Sequence, residues 1–193
     1  IKFWRGKIIK YLEKSGIKFD EQNGTFYKAG NQLDISSGFT TKVEFISSKF
    51  YDDFYNQLKN EINRSYRFKT YTSTFILSRK IIENLIIDIL RLKYPANNPE
   101  NINLYYRVND GRFHDLTILL KNLEEKKEEF KVDKQIVEEF ISLIKPFRPK
   151  ANSKAHSIIM IGEEKELLDL KIERMVELLL KLMNNLLNDL KER

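Results

Sequence analysis

The sequence predicts a mainly α-helical protein, an up-and-down helical bundle preceded by a small α+β unit with a β-hairpin. Apolar residues recur at helical spacing over several long stretches of the 193 residues. Asn23-Gly24, a favoured two-residue hairpin turn, separates two short segments near the N-terminus. The hydrophobic fraction of 41% and the aromatic fraction of 12% are typical of a chain that buries a core. We therefore expect a folded protein with two parts, residues 1–64 and residues 65–193.

The first part is predicted to contain two helices around the hairpin. Residues 2–15 place apolar side chains on one helical face, and Gly16 ends that helix. Leu33 to Ser36 is a candidate third strand. Residues 42–64 return to helical spacing, and their apolar side is made of Val43, Ile46, Phe50, Phe54, Leu58 and Ile62.

The second part is predicted to hold the four helices of the bundle. The first spans about Tyr71 to Leu92, and an irregular connection from Lys93 to Asn109 follows it. The second helix begins near Arg112 and includes Phe113 on its apolar face, and the third follows Asp133, a plausible N-cap. Pro146 and Pro149 are expected to interrupt the third helix, since proline lacks an N–H. The fourth helix follows Gly162 and carries a long apolar stripe of Leu168, Ile172, Met175, Leu179, Leu182 and Leu186. This stripe is wide enough to be core throughout or to offer a seam to a second copy.

Composition narrows the possible functions. The 34 Lys and Arg against 28 Asp and Glu give a net charge of +6, which favours anionic partners. The chain has no cysteine, so disulfides and thiolate metal sites are excluded and a cytoplasmic location is the default expectation. The N-terminal residues do not resemble a signal peptide, and no apolar run is long enough for a membrane helix. No cofactor signature is present, and two distant histidines predict no metal site.

One basic segment, residues 145–156, concentrates the groups that carry chemistry. It lies in a stretch without any Asp or Glu between Glu139 and Glu163. Its candidate residues are His156 and Asn152 with the cations Lys145, Arg148, Lys150 and Lys154. A histidine can move a proton at neutral pH, and neighbouring cations can stabilise a phosphorane, so the segment predicts metal-independent cleavage of RNA. The alternative is a histidine that is hydrogen-bonded at a helix turn, with cations that only add solubility.

A second window without acids lies between Glu61 and Glu83. It holds the cations Arg64, Arg67, Lys69, Arg79 and Lys80, and the first three alternate with Tyr66, Phe68 and Tyr71. Cations with aromatic rings suit a nucleic-acid backbone with unstacked bases. The alternative is a solvated junction between two helices whose aromatic rings turn inward.

Residues from about 68 to 192 resemble a HEPN domain (higher eukaryotes and prokaryotes nucleotide-binding). The resemblance rests on the order of the four helices and on Arg148-Pro-Lys-Ala-Asn-Ser-Lys-Ala-His156 at the end of the third. It implies that Arg148 and His156 form a catalytic pair, with Asn152 between them and Glu83 as a supporting acid on the first bundle helix. Seven residues separate Arg148 from His156, whereas the family motif has four to six, and Lys150 has the family's spacing.

The resemblance also implies partners. HEPN domains are often homodimers, and many are endoribonucleases of toxin–antitoxin or antiviral systems that need no metal or cofactor. We therefore expect RNA and a second copy of the chain as partners, and an antitoxin or a larger assembly as a further possibility. The alternative function is a non-catalytic module that binds nucleic acid or a partner protein.

Overall fold

The computed structural model describes residues 17–20, 25–28, 44–156 and 161–191. The chain divides into two compact units, Ile1–Val43 and Glu44–Arg193. The predicted N-terminal helix of residues 2–15 and the candidate strand Leu33 to Ser36 lie outside the described residues.

The predicted hairpin of the first unit is confirmed. Strands β1 (Ile17–Asp20) and β2 (Thr25–Lys28) pair in antiparallel fashion. Asp20 pairs with Thr25, so four residues separate the paired strand ends. A two-residue turn at Asn23-Gly24 would have paired Gln22 with Thr25, and the predicted turn length is therefore wrong.

The second unit is a helical bundle with one small additional hairpin, which confirms the mainly α-helical prediction. Its longer helices are α1 (Asp53–Arg67), α2 (Tyr71–Lys93), α4 (Leu116–Glu125), α5 (Lys134–His156) and α7 (Ile172–Lys191). Two short helices are α3 (Pro99–Ile102) and α6 (Glu164–Asp169). Within the described ranges, no helix combines the length and apolar character needed to cross a bilayer.

Helix α2 lies at the centre of this unit. It packs against α1, α4, α5 and α7. Its fully buried side chains include Phe75, Ile81, Ile82, Leu85, Ile86, Ile89 and Leu90. Burying side chains around most of its circumference stabilises the helix by roughly 1.5–3 kcal/mol for each large apolar residue.

The helix predicted for residues 42–64 begins later than expected. Residues 44–52 are not helical, and α1 starts at Asp53, with the Asp52 carboxylate accepting a hydrogen bond from the Phe54 N–H at 2.7 Å. The Asn63 side chain holds the preceding segment, because its amide bonds both the N–H and the carbonyl of Ile46 at 2.8 Å. Ile46 is buried as predicted, whereas Phe54 is 44% exposed.

The connection after α2 contains more regular structure than predicted. Strands β3 (Tyr106–Arg107) and β4 (Arg112–Phe113) form a second hairpin, with Gly111 at a φ of 63° in its turn. Helix α4 therefore begins at Leu116 rather than near Arg112, and Phe113 lies on the hairpin with 48% of its surface exposed. The Asp115 carboxylate caps α4 by accepting from the N–H groups of Thr117 and Ile118. A 3-10 helix, Lys127–Asp133, follows α4.

Helix α5 continues through both prolines, so the predicted interruption is wrong. The two N–H groups that Pro146 and Pro149 lack would have bonded the carbonyls of Ser142 and Lys145. All four residues lie on the exposed side of the helix, where water can solvate those carbonyls. Phe147 and Ala151, on the other side, are fully buried and hold the helix against the core. The helix therefore reaches His156 without a break.

The predicted fourth helix is two helices. The break lies between α6 and α7, where Lys171 has a φ of 51°. Leu168 falls before this break and is 57% exposed, while the other members of the predicted stripe are buried. Asp133, the predicted N-cap, directly precedes α5, and its buried side chain accepts a hydrogen bond from Asn185 of α7 at 2.7 Å.

Candidate nucleic-acid and catalytic site

The unbroken course of α5 fixes the spacing of the predicted catalytic positions. Residues 148, 152 and 156 follow one another at intervals of four, so they lie on one side of the helix. Adjacent positions in this series are about 6 Å apart along the axis, and positions 148 and 156 are about 12 Å apart. His156 is the last residue of α5. Asn152 is therefore closer to His156 than Arg148 is.

Three residues that the sequence predicts for separate roles meet where α2 packs on α5. The Arg79 guanidinium donates from Nη1 to the Asn152 Oδ1 at 2.7 Å and from Nε to the Glu83 Oε1 at 2.8 Å. The side chains of Arg79 and Glu83 are only 17% and 24% exposed. The sequence predicts Arg79 as an RNA-binding cation, and the HEPN resemblance implies a catalytic role for Asn152 and a supporting one for Glu83. The fold joins them one helical turn from His156.

Lys154 is also held by protein groups. Its ammonium donates to the Ile161 carbonyl at 2.6 Å and forms an ion pair with the Glu166 Oε2 at 3.0 Å. It lies 6.0 Å from the centre of the Phe75 ring, and its side chain is 9% exposed. The contact with this ammonium holds the pKa of Glu166 below its ordinary value. These contacts give Lys154 a structural role that its position in a basic run did not predict.

Gly162 brings the chain after this segment against the start of α2. Its N–H donates to the Thr72 hydroxyl at 2.9 Å. A Cβ at position 162 would lie 2.9 Å from the backbone of Tyr71 and Thr72 and from the Phe75 ring. Only glycine permits this close approach, which anchors the segment that leads into α6.

The other predicted RNA-binding cations are more accessible. Lys150 is half-buried, and the Lys145 ammonium lies 3.9 Å from the Glu124 carboxylate. The Arg64 guanidinium lies 5.9 Å from the centre of the Phe68 ring, which is 58% exposed. The exposed cations of the two basic windows are Lys145, Arg148, Arg64, Arg67, Lys69 and Lys80.

The aromatic residues of the first window divide between core and surface. Tyr66 is buried, stacks on Phe45, and donates its hydroxyl hydrogen to the Glu164 Oε1 at 2.8 Å. Burial and the bond to Glu164 raise the pKa of Tyr66 to about 12. Tyr71 is half-buried beside Tyr66, whereas Phe68 faces outward beside Arg64. The stretch therefore combines a packed helix junction with one exposed cation–aromatic pair.

Two further features lie away from these residues. The half-buried His114 contacts the Asn103 carbonyl through Nε2 at 3.0 Å. A cavity of about 530 Å³ is bordered by α2, α7 and the segment before α1, and its described lining includes none of the predicted site residues. In its wall the Tyr55 hydroxyl donates to the Asp88 carboxylate at 2.6 Å, a contact across 33 residues that sequence reasoning missed. Among the described residues, no group of His, Asp or Glu side chains is arranged to bind a metal.

Comparisons of the chain with protein-family models, with curated proteins and with solved structures give no match. The HEPN resemblance therefore stays a prediction based on the helix order and the motif of residues 148–156.

Proposed function

We propose that the chain is a HEPN-like, metal-independent endoribonuclease that uses His156 and Asn152 at its cleavage site. The observation that best supports this proposal is the hydrogen bond of Asn152 with Arg79, whose guanidinium also pairs with Glu83, one helical turn from position 156. An ordered amide one helical turn from the position of a histidine, among exposed cations, suits the recognition of an RNA phosphodiester.

The chemistry is a transfer of the phosphodiester within the RNA strand. The ribose 2′-oxygen attacks the adjacent phosphorus while a base takes the 2′-hydroxyl proton, and the bond to the 5′-oxygen breaks as an acid protonates that oxygen. The products are a 2′,3′-cyclic phosphate and a 5′-hydroxyl. His156 supplies one of these proton transfers, since an imidazole titrates near neutral pH. A second copy of the chain would supply the other imidazole through a symmetric dimer.

Arg148 is assigned to the RNA backbone beside the scissile phosphate. Its exposed position about 12 Å along the helix from position 156 suits a neighbouring phosphate better than the reacting one. The exposed cations of both basic windows extend this binding surface, and their attraction to RNA would weaken with added salt.

The proposal is tested by incubating labelled RNA with the protein in EDTA. We expect cleavage by the wild-type chain and a loss of about 10²–10⁴-fold in His156→Ala, because a proton-transfer group is removed. His114→Ala is the matched control. His114 is the other histidine of the chain, and it lies between strand β4 and helix α4, away from the proposed site.

Two outcomes would contradict this proposal. Cleavage that His156→Ala retains would assign the activity to other residues. RNA that stays intact but binds in a salt-sensitive manner would favour the non-catalytic nucleic-acid-binding module. A role as a toxin or in antiviral defence further requires that expression of the wild-type chain, and not of His156→Ala, arrests cell growth.

A further inference from the structure

We propose that Asn152 donates a hydrogen bond from its amide NH2 to a phosphate oxygen of the RNA, and that Arg79 and Glu83 are positioning residues that fix the orientation of this amide. This inference rests on the proposed function, since it assigns the substrate contact within the same site. It changes the role of Arg79 from a direct RNA-binding cation to a residue that acts through Asn152.

The orientation of the Asn152 amide follows from the chemistry of its neighbour. A guanidinium carries only hydrogen-bond donors, so the group of Asn152 that lies 2.7 Å from Arg79 Nη1 has to be the acceptor, Oδ1. The Nδ2 is consequently at the other end of the amide, away from Arg79. An NH2 group donates to the oxygens of a phosphate, which only accept.

The Arg79 side chain is itself held in place. Glu83 lies one turn along α2 and accepts from the Arg79 Nε at 2.8 Å, while Nη1 remains directed at α5. Both side chains are largely buried, so solvent screens this ion pair less than a surface pair. A planar guanidinium that bonds two partners at once restrains the second partner more tightly than a flexible ammonium does. The amide of Asn152 is thus ordered before a ligand arrives, which lowers the entropic cost of binding.

The placement of this amide favours it over Arg148 as the contact to the reacting phosphate. Position 152 is one turn from His156, whereas position 148 is two turns away. The charge of Arg79 is already balanced by Glu83, so a direct bond from Arg79 to RNA would compete with that ion pair. A neutral donor at position 152 avoids this competition.

The decisive experiment replaces Asn152 by aspartate. Asn152→Asp keeps an oxygen for Arg79 and nearly the same shape, but it replaces the NH2 donor with an anionic oxygen. We expect an unchanged or higher Tm and a loss of RNA cleavage of at least about 100-fold, as for the removal of a donor to a developing oxyanion. Asn184→Asp, on the exposed side of α7, introduces the same charge change as a control and should cleave like the wild type. An Asn152→Asp variant that cleaves like the wild type would show that Asn152 serves only as an acceptor for Arg79 and would overturn the inference.

A double-mutant cycle tests the positioning role. Arg79→Lys keeps the charge but loses the planar fork, and we expect it to reduce cleavage by about 10-fold or more, since misplacement of a catalytic group is costly. In the Asn152→Asp background, Arg79→Lys should reduce cleavage little further, because both substitutions remove the same hydrogen bond from the oriented Asn152 amide to the phosphate. Losses that multiply would indicate that Arg79 contacts the RNA directly, and the positioning role would be wrong.

The outcome also separates the two proposals. Wild-type cleavage that depends on His156 but not on the identity of residue 152 overturns this inference and removes Asn152 from the cleavage site, while the endoribonuclease activity itself stands. A wild-type chain that leaves RNA intact overturns the proposed function and this inference together.

Discussion

Two cation–carboxylate pairs lie near the C-terminal end of α5, and they hold the protein in different ways. Lys154 pairs with Glu166 and reaches the Ile161 carbonyl, so its contacts join α5 to the segment around α6. Arg79 pairs with Glu83 on its own helix and reaches the side chain of Asn152. Lys154 contacts a main-chain carbonyl and a carboxylate, which only accept hydrogen bonds. Arg79 contacts a carboxylate and the Asn152 amide, and this amide also carries an NH2 donor. Two cations from similar basic windows in the sequence therefore have different partners, and the proposed function gives Lys154 a structural role and Arg79 a positioning role.

This contrast leads to opposite expectations for the two contacts. A structural contact should change stability and leave the cleavage rate of the folded protein unaltered. A positioning contact should change the cleavage rate with little effect on stability.

Lys154→Met should destabilise the protein by about 2 kcal/mol at neutral pH, because it leaves Glu166 and the Ile161 carbonyl without their cationic partner. The cost stays below that of a fully buried pair, since 29% of the Glu166 side chain is exposed. Chemical denaturation of the wild type and the variant measures the difference. Cleavage per folded molecule should be unchanged, and a loss of cleavage with full stability would give Lys154 a role at the site.

The same variant should alter the response to acid. The pKa of Glu166 is depressed in the folded protein, so its contribution to stability is present above the unfolded pKa and is lost as the pH falls through the folded value. The stability difference between wild type and Lys154→Met should therefore shrink in acid. A difference that stays constant down to the acid transition would show that the ion pair contributes little.

Tyr66→Phe should destabilise the protein by about 1–2 kcal/mol at neutral pH, since it removes the buried hydroxyl that donates to the Glu164 carboxylate. The folded pKa of Tyr66 is raised from 10.0 to about 12, so the neutral hydroxyl stabilises the fold fully below the unfolded value. This contribution is lost as the pH rises towards the folded value, and the variant has no such group. Denaturation at neutral pH and at about pH 11 should therefore give a smaller difference at the higher pH. An equal difference at both would mean that the hydroxyl does not titrate as expected.

The sequence predicted correctly the elements whose conformation is determined by the pattern of their own residues. Helix α2 was predicted within one residue at its C-terminal end because its apolar positions continue without a break. The segment before α1 was predicted as helix because Ile46 and Phe50 keep helical spacing, but Asn63 holds it in another conformation from 17 residues away. The predicted break at the prolines of α5 was wrong for a related reason. The destabilisation by a proline depends on whether the carbonyl left without an N–H partner faces water, and the sequence does not show this.

At the candidate site, too, the sequence identified individual residues but not the contacts between residues that are far apart in the chain. Arg79, Glu83 and Asn152 were each selected from the sequence for their charge, their polarity or the HEPN resemblance. Their meeting could not be predicted, because Arg79 and Asn152 are 73 residues apart and only the packing of α2 on α5 joins them. The structural role of Lys154 was missed because a lysine in a basic run gives no sign of an acid that the fold brings to it.

Arg148→Ala should have the smallest effect and marks the edge of the proposed site. Arg148 is exposed, and its position lies about 12 Å along α5 from that of His156. If it binds a neighbouring phosphate of single-stranded RNA, its removal should weaken binding a few-fold and reduce the slope of log K against log salt by about 0.7. The chemical step at saturating RNA should be unchanged, because an interaction made equally in the bound and transition states affects KM and not kcat.

Lys181→Ala removes the same charge from an exposed position on α7 and should leave both quantities, the binding affinity and its salt dependence, unaltered. A large fall in kcat for Arg148→Ala would instead place the guanidinium on the reacting phosphate, as the HEPN motif implies, and would require the RNA or a second copy of the chain to bring residues 148 and 156 together.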